Sequence, residues 1–322
     1  MRRSPLTIGV DVGGTQIKLG LVRGPQILLE RALPTAPLSS SPVLLQEELI
    51  RGIRSLLREA RGSVRGVGVG IPGLVRYPQG VVESCANLSS FRHIPLKSNL
   101  KRHLRFPIQV DNDVHAMTLA EWKYGAGGGA RNLVCMTLGT GVGGGLVLNG
   151  KLYRSRKGPS GEIGHLPISE KGTRCSCGGE ACLERYVGNR DLLKGVRLEL
   201  QKGVLSRIPA LIGHRWERLT PELIDRACAM GDRFARGVWE QAGRRIGLVL
   251  VDVIHLLNPD RIVIGGGLAK AGAWLFQPIR KTVRERAMRG LKGVPILAAR
   301  LGPSAGIIGA ALLVQEGEGS GV

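Results

Sequence analysis

A buried strand, a tight glycine turn and a returning strand occur in that order twice, and this repetition constrains the fold more than any other feature of the chain. The first copy has predicted strands over 6–13 and 16–22, and the second has them over 133–138 and 146–148. Each copy is followed by a segment with helical spacing of apolar residues and then by another apolar strand. The repetition predicts a duplicated α/β domain with a cleft between the halves, rather than one continuous doubly wound sheet.

The remaining elements follow from the same periodicities. Apolar residues at helical spacing predict helices, and short apolar runs bounded by glycine or proline predict strands. The predicted helices cover 43–60, 114–124, 191–201, 221–230, 234–257, 274–289 and 305–316. The further predicted strands cover 27–33, 64–71, 108–110, 261–264 and 295–299. Turn-forming residues throughout 74–107 predict irregular structure there.

Composition limits the class of protein. The 322 residues, 43% hydrophobic and 22% charged, suffice for two globular domains. No apolar run is long enough to cross a bilayer, and the first residues lack the features of a signal peptide, so we expect a cytoplasmic protein without a membrane partner. Of the six cysteines, three are clustered, which favours a metal site over a disulfide framework.

The formal net charge of +21 is compatible with a nucleic-acid partner or with a solvated basic surface. The basic residues are spread over several runs, and aromatic residues, at 4%, are too few for a platform on which bases stack. The runs, several of which have helical spacing, cover 51–65, 101–105, 151–157 and 280–292. A solvated surface is therefore favoured over nucleic acid, and it would also steer an anionic substrate such as ATP.

Three glycine-rich segments are candidate phosphate or nucleotide sites. The segment from Asp11 through Gly13, Gly14 and Thr15 to Lys18 joins two strands, so it is either a phosphate-binding turn or a plain hairpin. Five glycines within 139–145 exceed what a turn needs, and a second phosphate site is favoured over a β-bulge there. The triplet 265–267, between a strand and a helix, is a weaker candidate for the nucleoside end of a nucleotide.

Asp113 is the candidate for proton transfer. It lies where a predicted strand meets a predicted helix, a position at which a carboxylate either caps the helix or faces a cleft. The run Asp111-Asn112-Asp113 gives several polar side chains at one strand end, which favours the cleft. A carboxylate there could accept a hydroxyl proton during attack on phosphorus.

The segment from Glu162 to Glu184 is the most specific motif. It contains His165, Cys175, Cys177 and Cys182, which together match a Cys₃His set for a structural Zn²⁺ ion. The two glutamates bracket this set, so a metal would fix their positions relative to a polar ligand. The alternative, three unbonded thiols, does not explain the spacing.

These motifs together resemble the ROK (repressor, open reading frame, kinase) family of sugar kinases, within the actin-like ATPase (ribonuclease H-like) fold. The resemblance covers nearly the whole chain, and its specific element is the His–Cys₃ segment with the flanking glutamates. It implies a smaller domain of 1–112 plus 305–322 and a larger domain of 113–304 that carries the zinc loop. It also implies a homo-oligomer, either a dimer or a tetramer.

The resemblance implies a role for each motif. Asp113 would be the general base that deprotonates a hexose hydroxyl, usually the 6-hydroxyl. The other sugar contacts would come from Gly73, Asn87, Asn112, Glu162, His165 and Glu184. Mg²⁺ and the ATP phosphates would be held by Asp11, Gly13, Gly14, Thr15, Lys18, Gly139, Thr140 and Gly141. Gly265, Gly266 and Gly267 would flank the adenosine, and zinc would shape the sugar pocket.

The implied function is an ATP-dependent hexose kinase, with glucose favoured by the context of Asn87. Mannose, fructose, N-acetylglucosamine and N-acetylmannosamine are the alternatives. A sugar-responsive repressor is less favoured, because only five residues precede Leu6 and a helix-turn-helix would need more; a catalytically inactive sugar-binding subunit is a third alternative. Ser155 and Ala181 depart from the family pattern, where glycine is usual, and both could alter the backbone of their loops.

Overall fold

The computed structural model describes residues 4–85, 90–155 and 159–318. The strands are β1 (Leu6–Val12), β2 (Gln16–Arg23), β3 (Gln26–Pro34), β4 (Val64–Ile71), β5 (Leu74–Arg76), β6 (Val81–Ser84), β7 (Arg92–Ile94), β8 (Ile108–Asn112), β9 (Leu133–Leu138), β10 (Val142–Leu148), β11 (Lys151–Leu152), β12 (Arg261–Gly265) and β13 (Ile296–Ala298). The α-helices are α1 (Pro42–Glu59), α2 (Leu96–His103), α3 (Asp113–Tyr124), α4 (Glu184–Val187), α5 (Asn189–Gln201), α6 (Ile208–Leu211), α7 (Pro221–Ala229), α8 (Arg233–Leu257), α9 (Ala273–Arg286) and α10 (Ala305–Glu318).

Two five-stranded sheets repeat one pattern of strand order. The first has the order β3-β2-β1-β4-β8, and the second has the order β11-β10-β9-β12-β13. In each, a later strand pairs parallel with the first strand of the hairpin, and one further strand pairs parallel with that later strand. The duplicated α/β architecture predicted from the sequence is therefore confirmed, and the fold is that of the actin-like ATPases.

The chain forms two compact units. Unit 1 comprises 1–129, 145–160 and 300–322, and unit 2 comprises 130–144 and 161–299. Unit 1 thus includes α3, β11 and the part of β10 from residue 145 onwards.

Unit 1 is built on the first sheet. β1 pairs antiparallel with β2 and parallel with β4, and β4 pairs parallel with β8, so the carboxyl ends of these three parallel strands share one edge. Helix α1 buries Leu45, Leu49 and Ile53 in the core of this unit. Its N-terminus is capped by Ser41, whose hydroxyl accepts a hydrogen bond from the Leu44 N–H. The shared edge is where the polar residues of unit 1 gather.

Unit 2 contains the parallel strands β9, β12 and β13 and most of the helices. Its longest helix, α8, packs against α9 through Gly243 and Gly247, where a side chain would meet the backbone or Thr282 of α9. Asp232 caps α8 by accepting from the Ala235 N–H. Between residue 161 and α4 the regular structure is limited to a short 3₁₀ turn, and this segment contains His165, Cys175, Cys177 and Cys182.

Three predicted segments differ from the observed ones. Residues 74–107, expected to be irregular, contain α2 and the small antiparallel sheet β5-β6-β7. These elements are short and bounded by prolines and glycines, so periodicity does not reveal them. The glycine loop expected over 139–145 ends sooner because β10 begins at Val142, and the helix expected to reach 289 ends at Arg286.

Candidate functional site

The junction of β8 and α3 in unit 1 places Asp113 at a helix N-terminus. Asn112 is the N-cap residue, and its Oδ1 accepts from the backbone N–H groups of Val114 (2.8 Å) and His115 (3.2 Å). Asp113 follows in the first turn and is half-buried. Burial, and then the negative charge of Asp11, raise the pKa of Asp113 to about 7. A carboxylate of this pKa is suited to accept a proton near neutral pH.

Asp11 lies near the end of β1, on the same sheet edge. Burial raises its pKa to about 6, and the charge of Lys18, its partner across the β1–β2 pair, lowers that pKa in part. Asp11 lies against Gly306 in the first turn of α10, where any side chain would collide with the carboxylate. Helix N-termini favour negative charge, so Gly306 allows the carboxylate to reach a favourable position.

Hydrogen bonds to backbone carbonyl groups stabilise the turn between β1 and β2. The Gly13 N–H donates to the Gln16 carbonyl (2.9 Å), and Thr35 donates to the carbonyls of Gly13 (2.7 Å, from its hydroxyl) and Thr15 (3.0 Å, from its N–H). Gly14 and Thr15 are exposed. An exposed, rigid turn with glycine at its centre can present N–H groups and a hydroxyl to phosphate oxygens.

Gly73 and Asn112, two of the predicted sugar-binding residues, lie together in unit 1. The Asn112 Nδ2 donates to the Gly73 carbonyl at 3.0 Å. Gly73 has a φ of 97°, and a Cβ at this position would collide with the Ser84 carbonyl, so the position requires glycine. Asn87 lies outside the described residues.

A buried ion network lies beneath the same junction, and sequence reasoning missed it. Asp111 is 1% exposed, and its Oδ1 is 2.9 Å from His115 Nδ1, while its Oδ2 accepts from Arg154 Nε at 2.6 Å. Burial alone would raise the pKa of Asp111, but the hydrogen bond and charge of His115, together with Arg154, hold it below its usual value. The guanidinium of Arg154 also lies 4.1 Å from the ring centre of Tyr77. Arg154 follows β11, so no local pattern connects it to β8.

In unit 2, the predicted metal ligands come together. The ligand atoms of His165, Cys175, Cys177 and Cys182 all lie within 4.8 Å of one another. His165 Nδ1 is 3.6 Å from Cys175 Sγ, and Cys177 Sγ is 3.6 Å from Cys182 Sγ. Burial, and then the neighbouring thiols, raise the pKa of Cys182 to about 12. A cation beside Cys182 would favour its ionised form, and this set of side chains could hold a metal ion.

The two glutamates that flank the cluster have different surroundings. Glu162 Oε2 is 3.8 Å from Nε2 of His165, the ring nitrogen that does not face the cysteines. Glu184 instead accepts from the Val142 N–H at 2.9 Å. A side chain at Gly141 would collide with the Glu184 carboxylate, so this glycine of the loop is needed for their contact.

The remaining predicted nucleotide residues also belong to unit 2. The carbonyl of Gly139 accepts from the Asn189 N–H (2.9 Å), which ties the loop that contains Thr140 to α5. β12 ends at Gly265, and Gly266 has a φ of 91° and packs against the backbone of Leu138. Gly267 has open space around its Cα. The triplet thus combines one glycine needed for packing with one that leaves room for a ligand.

Comparison with known proteins decides the family. The model of the ROK family matches residues 7–317. The chain belongs to the ROK family. A glucokinase from Halalkalibacterium halodurans is 33% identical, over 97% of this chain and 96% of that protein.

Two solved ROK structures are similar to this fold. One is a ROK family glucokinase from Streptomyces griseus in complex with glucose and AMPPNP, with a TM-score of 0.82 and 32% identity over 97% of this chain and 99% of that one. The other is a ROK family transcriptional regulator, a homologue of the Escherichia coli MLC protein. Its TM-score is 0.85, at 27% identity, over 96% of this chain and 78% of that one.

Ala181 shows the cost of one departure from the ROK pattern. It is fully buried and has a φ of 55°, in the left-handed region that glycine adopts without strain. Glycine at this place would therefore adopt the same conformation without strain. Ser155 does not have a positive φ.

No described helix is long and apolar enough to span a membrane. The six cysteines, all within the described ranges, are free thiols.

Proposed function

We propose that this ROK protein is an ATP-dependent hexose kinase that phosphorylates the 6-hydroxyl of glucose. The observation that carries the proposal is Asp113, a half-buried carboxylate with a pKa raised to about 7, at a strand end shared with Asp11 and the glycine turn. The near full-length similarity to glucokinases, one of them described in complex with glucose and AMPPNP, supports glucose and ATP as substrates.

In the proposed reaction, Asp113 accepts the proton of the sugar hydroxyl as that oxygen attacks the γ-phosphorus of ATP. The bond between the γ-phosphorus and the bridging oxygen breaks, and ADP leaves. The raised pKa lets the carboxylate accept the proton near neutral pH and release it afterwards. Phosphoryl transfer needs positioning and charge neutralisation more than covalent help, and a general base beside a phosphate turn supplies the first.

Mg²⁺ would accompany ATP, because it neutralises phosphate charge and prefers oxygen ligands. Asp11 would face the ion or its waters, which suits a carboxylate that ionises near pH 6. The N–H groups and hydroxyl of the exposed Gly14–Thr15 turn would hold phosphate oxygens, as would the loop of Gly139 and Gly141. Gly265 to Gly267 would lie beside the adenosine.

We also propose that the Cys₃His cluster holds Zn²⁺. Four ligands at about 2.0–2.3 Å from a tetrahedral ion would lie about 3.5 Å apart, and two of the observed separations are 3.6 Å. With four protein ligands the ion would have no open position, so its role would be structural. It would fix the loop on which Glu162 and His165 hold sugar hydroxyls, with Glu184, Asn112, Gly73 and Asn87 as further sugar contacts.

A coupled assay that measures ADP formation tests the activity. The full chain is assayed with Mg²⁺–ATP and each of glucose, mannose, fructose, N-acetylglucosamine and N-acetylmannosamine. We expect the highest kcat/KM with glucose. A higher value with another of these sugars would change the substrate, and no turnover with any of them would contradict the kinase proposal.

The second candidate is a sugar-responsive transcriptional regulator, which the similarity to the solved ROK regulator favours. The net charge of +21 adds to it. Binding to duplex DNA that weakens steeply with salt and responds to sugar would support this candidate.

We further propose that the protein is cytoplasmic and forms a homo-oligomer, a dimer or a tetramer. The free cysteines are compatible with a reducing compartment. Light scattering coupled to size exclusion would give the number of subunits.

A further inference from the structure

Two basic runs that the sequence predicts as solvated faces meet in unit 1. Parts of 51–65 and 101–105 line a groove of about 640 Å³ between α1 and α2. We call it the α1–α2 groove; its lining includes Glu47, Arg51, Arg54, Arg58, Arg102 and His103. None of them belongs to the residues that we assign to catalysis, sugar, ATP or metal.

The fold brings these side chains together through helix periodicity. Arg51, Arg54 and Arg58 are three and four residues apart, so they project from one side of α1, while the opposite side is buried in the core. The last turn of α2 supplies Arg102 and His103. The sequence separates the two sets by more than forty positions, so only the packing of the helices reveals one site.

The α1–α2 groove is held in shape by polar contacts between the two helices. Asn99 Nδ2 donates to Gln46 Oε1 at 2.8 Å, and Arg54 Nη2 donates to the His103 carbonyl at 3.2 Å. The second contact also satisfies a carbonyl at the C-terminus of α2. A groove whose walls are tied together in this way is largely pre-formed, which lowers the entropic cost of binding.

The charge of the α1–α2 groove is only partly balanced by the protein. Glu48 pairs with Arg51 at 2.8 Å, and Glu47 also lines the groove. Arg58 and Arg102, both exposed, form neither an ion pair nor a hydrogen bond within 4–85, 90–155 and 159–318. Two or more guanidinium groups therefore remain available to an anion inside a concave surface, where the field is strongest.

We propose that the α1–α2 groove binds a soluble small molecule that carries several phosphate groups. Guanidinium groups match phosphate oxygens in a bidentate geometry, and several of them around one cavity call for a ligand with more than one anionic group. The volume is that of a small-molecule site. An extended polyanion such as duplex DNA fits less well, because the groove is concave and of small-molecule volume.

Calorimetric titration of the full chain with inorganic tripolyphosphate, near physiological salt, tests the proposal. The groove variant carries Arg58→Gln and Arg102→Gln, which removes no hydrogen bond that the structure shows. The matched control carries Arg218→Gln and Arg226→Gln, two exposed arginines of unit 2, so its net charge changes equally. Tripolyphosphate that also occupies the proposed ATP site contributes equally to all three proteins.

We expect wild type and the control to bind one more equivalent of tripolyphosphate than the groove variant, or to bind it at least tenfold more tightly. Inorganic monophosphate should bind the groove more weakly than tripolyphosphate. The kcat and the glucose KM should be unchanged in both variants, since neither pair belongs to the proposed active site.

Equal weakening in the groove variant and the control would overturn the proposal, because it would reflect net charge alone. Unchanged binding in the groove variant would also overturn it. A duplex DNA titration is run in parallel: loss of DNA binding in the groove variant, with tripolyphosphate binding intact, would assign the groove to nucleic acid instead.

Discussion

The β8–α3 junction and the Cys₃His loop, Glu162 to Glu184, each hold a carboxylate that the proposed function uses, and they hold it in different ways. At the junction, Asp113 is positioned by a strand, a helix and a capping Asn112. In the loop, Glu162 lies beside a short 3₁₀ turn, Ile163–His165, and the chain around it is held by isolated bridges such as Pro167↔Cys182.

The two regions therefore differ in the interactions that keep them rigid. The junction is stabilised by sheet hydrogen bonds and by the buried Asp111 network, so its geometry needs no ligand. The loop has no strand pairing beyond two isolated bridges among the described residues, and the candidate ligand atoms of its four Cys₃His side chains lie within 4.8 Å of one another. We therefore expect the junction to govern chemistry and the loop to govern sugar affinity through its metal.

The largest effect is expected from Asp113→Asn, which should lower kcat about a thousandfold, because a general base contributes roughly 10²–10⁴-fold. Burial raises the pKa of this carboxyl, so its ionised form destabilises the folded state at pH above 7. The variant should consequently be at least as stable as wild type at pH 8, which thermal unfolding checks. A kcat within tenfold of wild type would show that another group is the base.

Cys175→Ser should reduce metal binding by the Cys₃His loop and weaken the binding of glucose. We expect less than one equivalent of zinc by elemental analysis, and a melting temperature lower by about 5 °C or more, because a structural metal contributes folding energy. The glucose KM should rise about 10- to 100-fold, the range seen when support around a metal is removed. Cys228→Ala, a buried thiol outside the cluster, should keep its zinc. If Cys175→Ser leaves zinc content and glucose KM unaltered, the cluster is not what fixes the loop.

The pH dependence of kcat/KM tests whether Asp113 is the general base. Asp113 must be ionised to accept a proton, and its pKa is raised to about 7, so activity should be lost as pH falls through 7. The loss should approach tenfold per pH unit below that value. An acid limb near pH 4, the ordinary range of an aspartate, would remove the reason for assigning Asp113 as the base.

Arg154→Gln should weaken the support beneath the junction. Asp111 would keep His115 but lose its bond to the guanidinium while remaining 1% exposed. Breaking such a buried pair costs about 3 kcal/mol, so the melting temperature should fall by about 5–10 °C. Arg154→Lys should recover part of the lost melting temperature. Arg61→Gln, at an exposed position, should change the melting temperature little. Equal melting temperatures for Arg154→Gln and Arg61→Gln would mean that the network does not support the junction.

The smallest effect is expected in the loop, from Ala181→Gly. Because Ala181 has a φ of 55°, glycine should relieve strain of about 1–2 kcal/mol, partly offset by its entropic cost of about 0.5–1 kcal/mol, and raise the melting temperature by about 2 °C. Ala60→Gly, at a residue with a φ of −66°, should instead lower the melting temperature. A decrease at both positions would indicate that the buried methyl group of Ala181 contributes more than its backbone strain costs.

The sequence alone predicts more of the residues in the Cys₃His loop than of those around the β8–α3 junction. Ligand spacing identifies all four residues of the Cys₃His cluster, because a metal imposes a local pattern on the chain. Asp113 is a candidate from the sequence because chemistry in α/β folds concentrates at strand ends, and its role stays a prediction. Arg154 and the α1–α2 groove are not found, because their partners are distant in sequence and only packing brings them together. Helix α2 and the sheet β5-β6-β7 are missed because elements of three to eight residues carry too few periods.

The central claim is that the junction serves proton transfer and the Cys₃His loop serves sugar binding. Calorimetric titration of glucose into the Asp113→Asn variant tests this claim most directly, through the dissociation constant of glucose compared with that of wild type. If Asp113 acts chiefly in proton transfer while the Cys₃His loop holds the sugar, the two constants should agree within about threefold, since about 0.65 kcal/mol separates them at that limit. Loss of glucose binding in this variant, with its fold intact, would contradict that claim and make Asp113 a sugar-binding residue first.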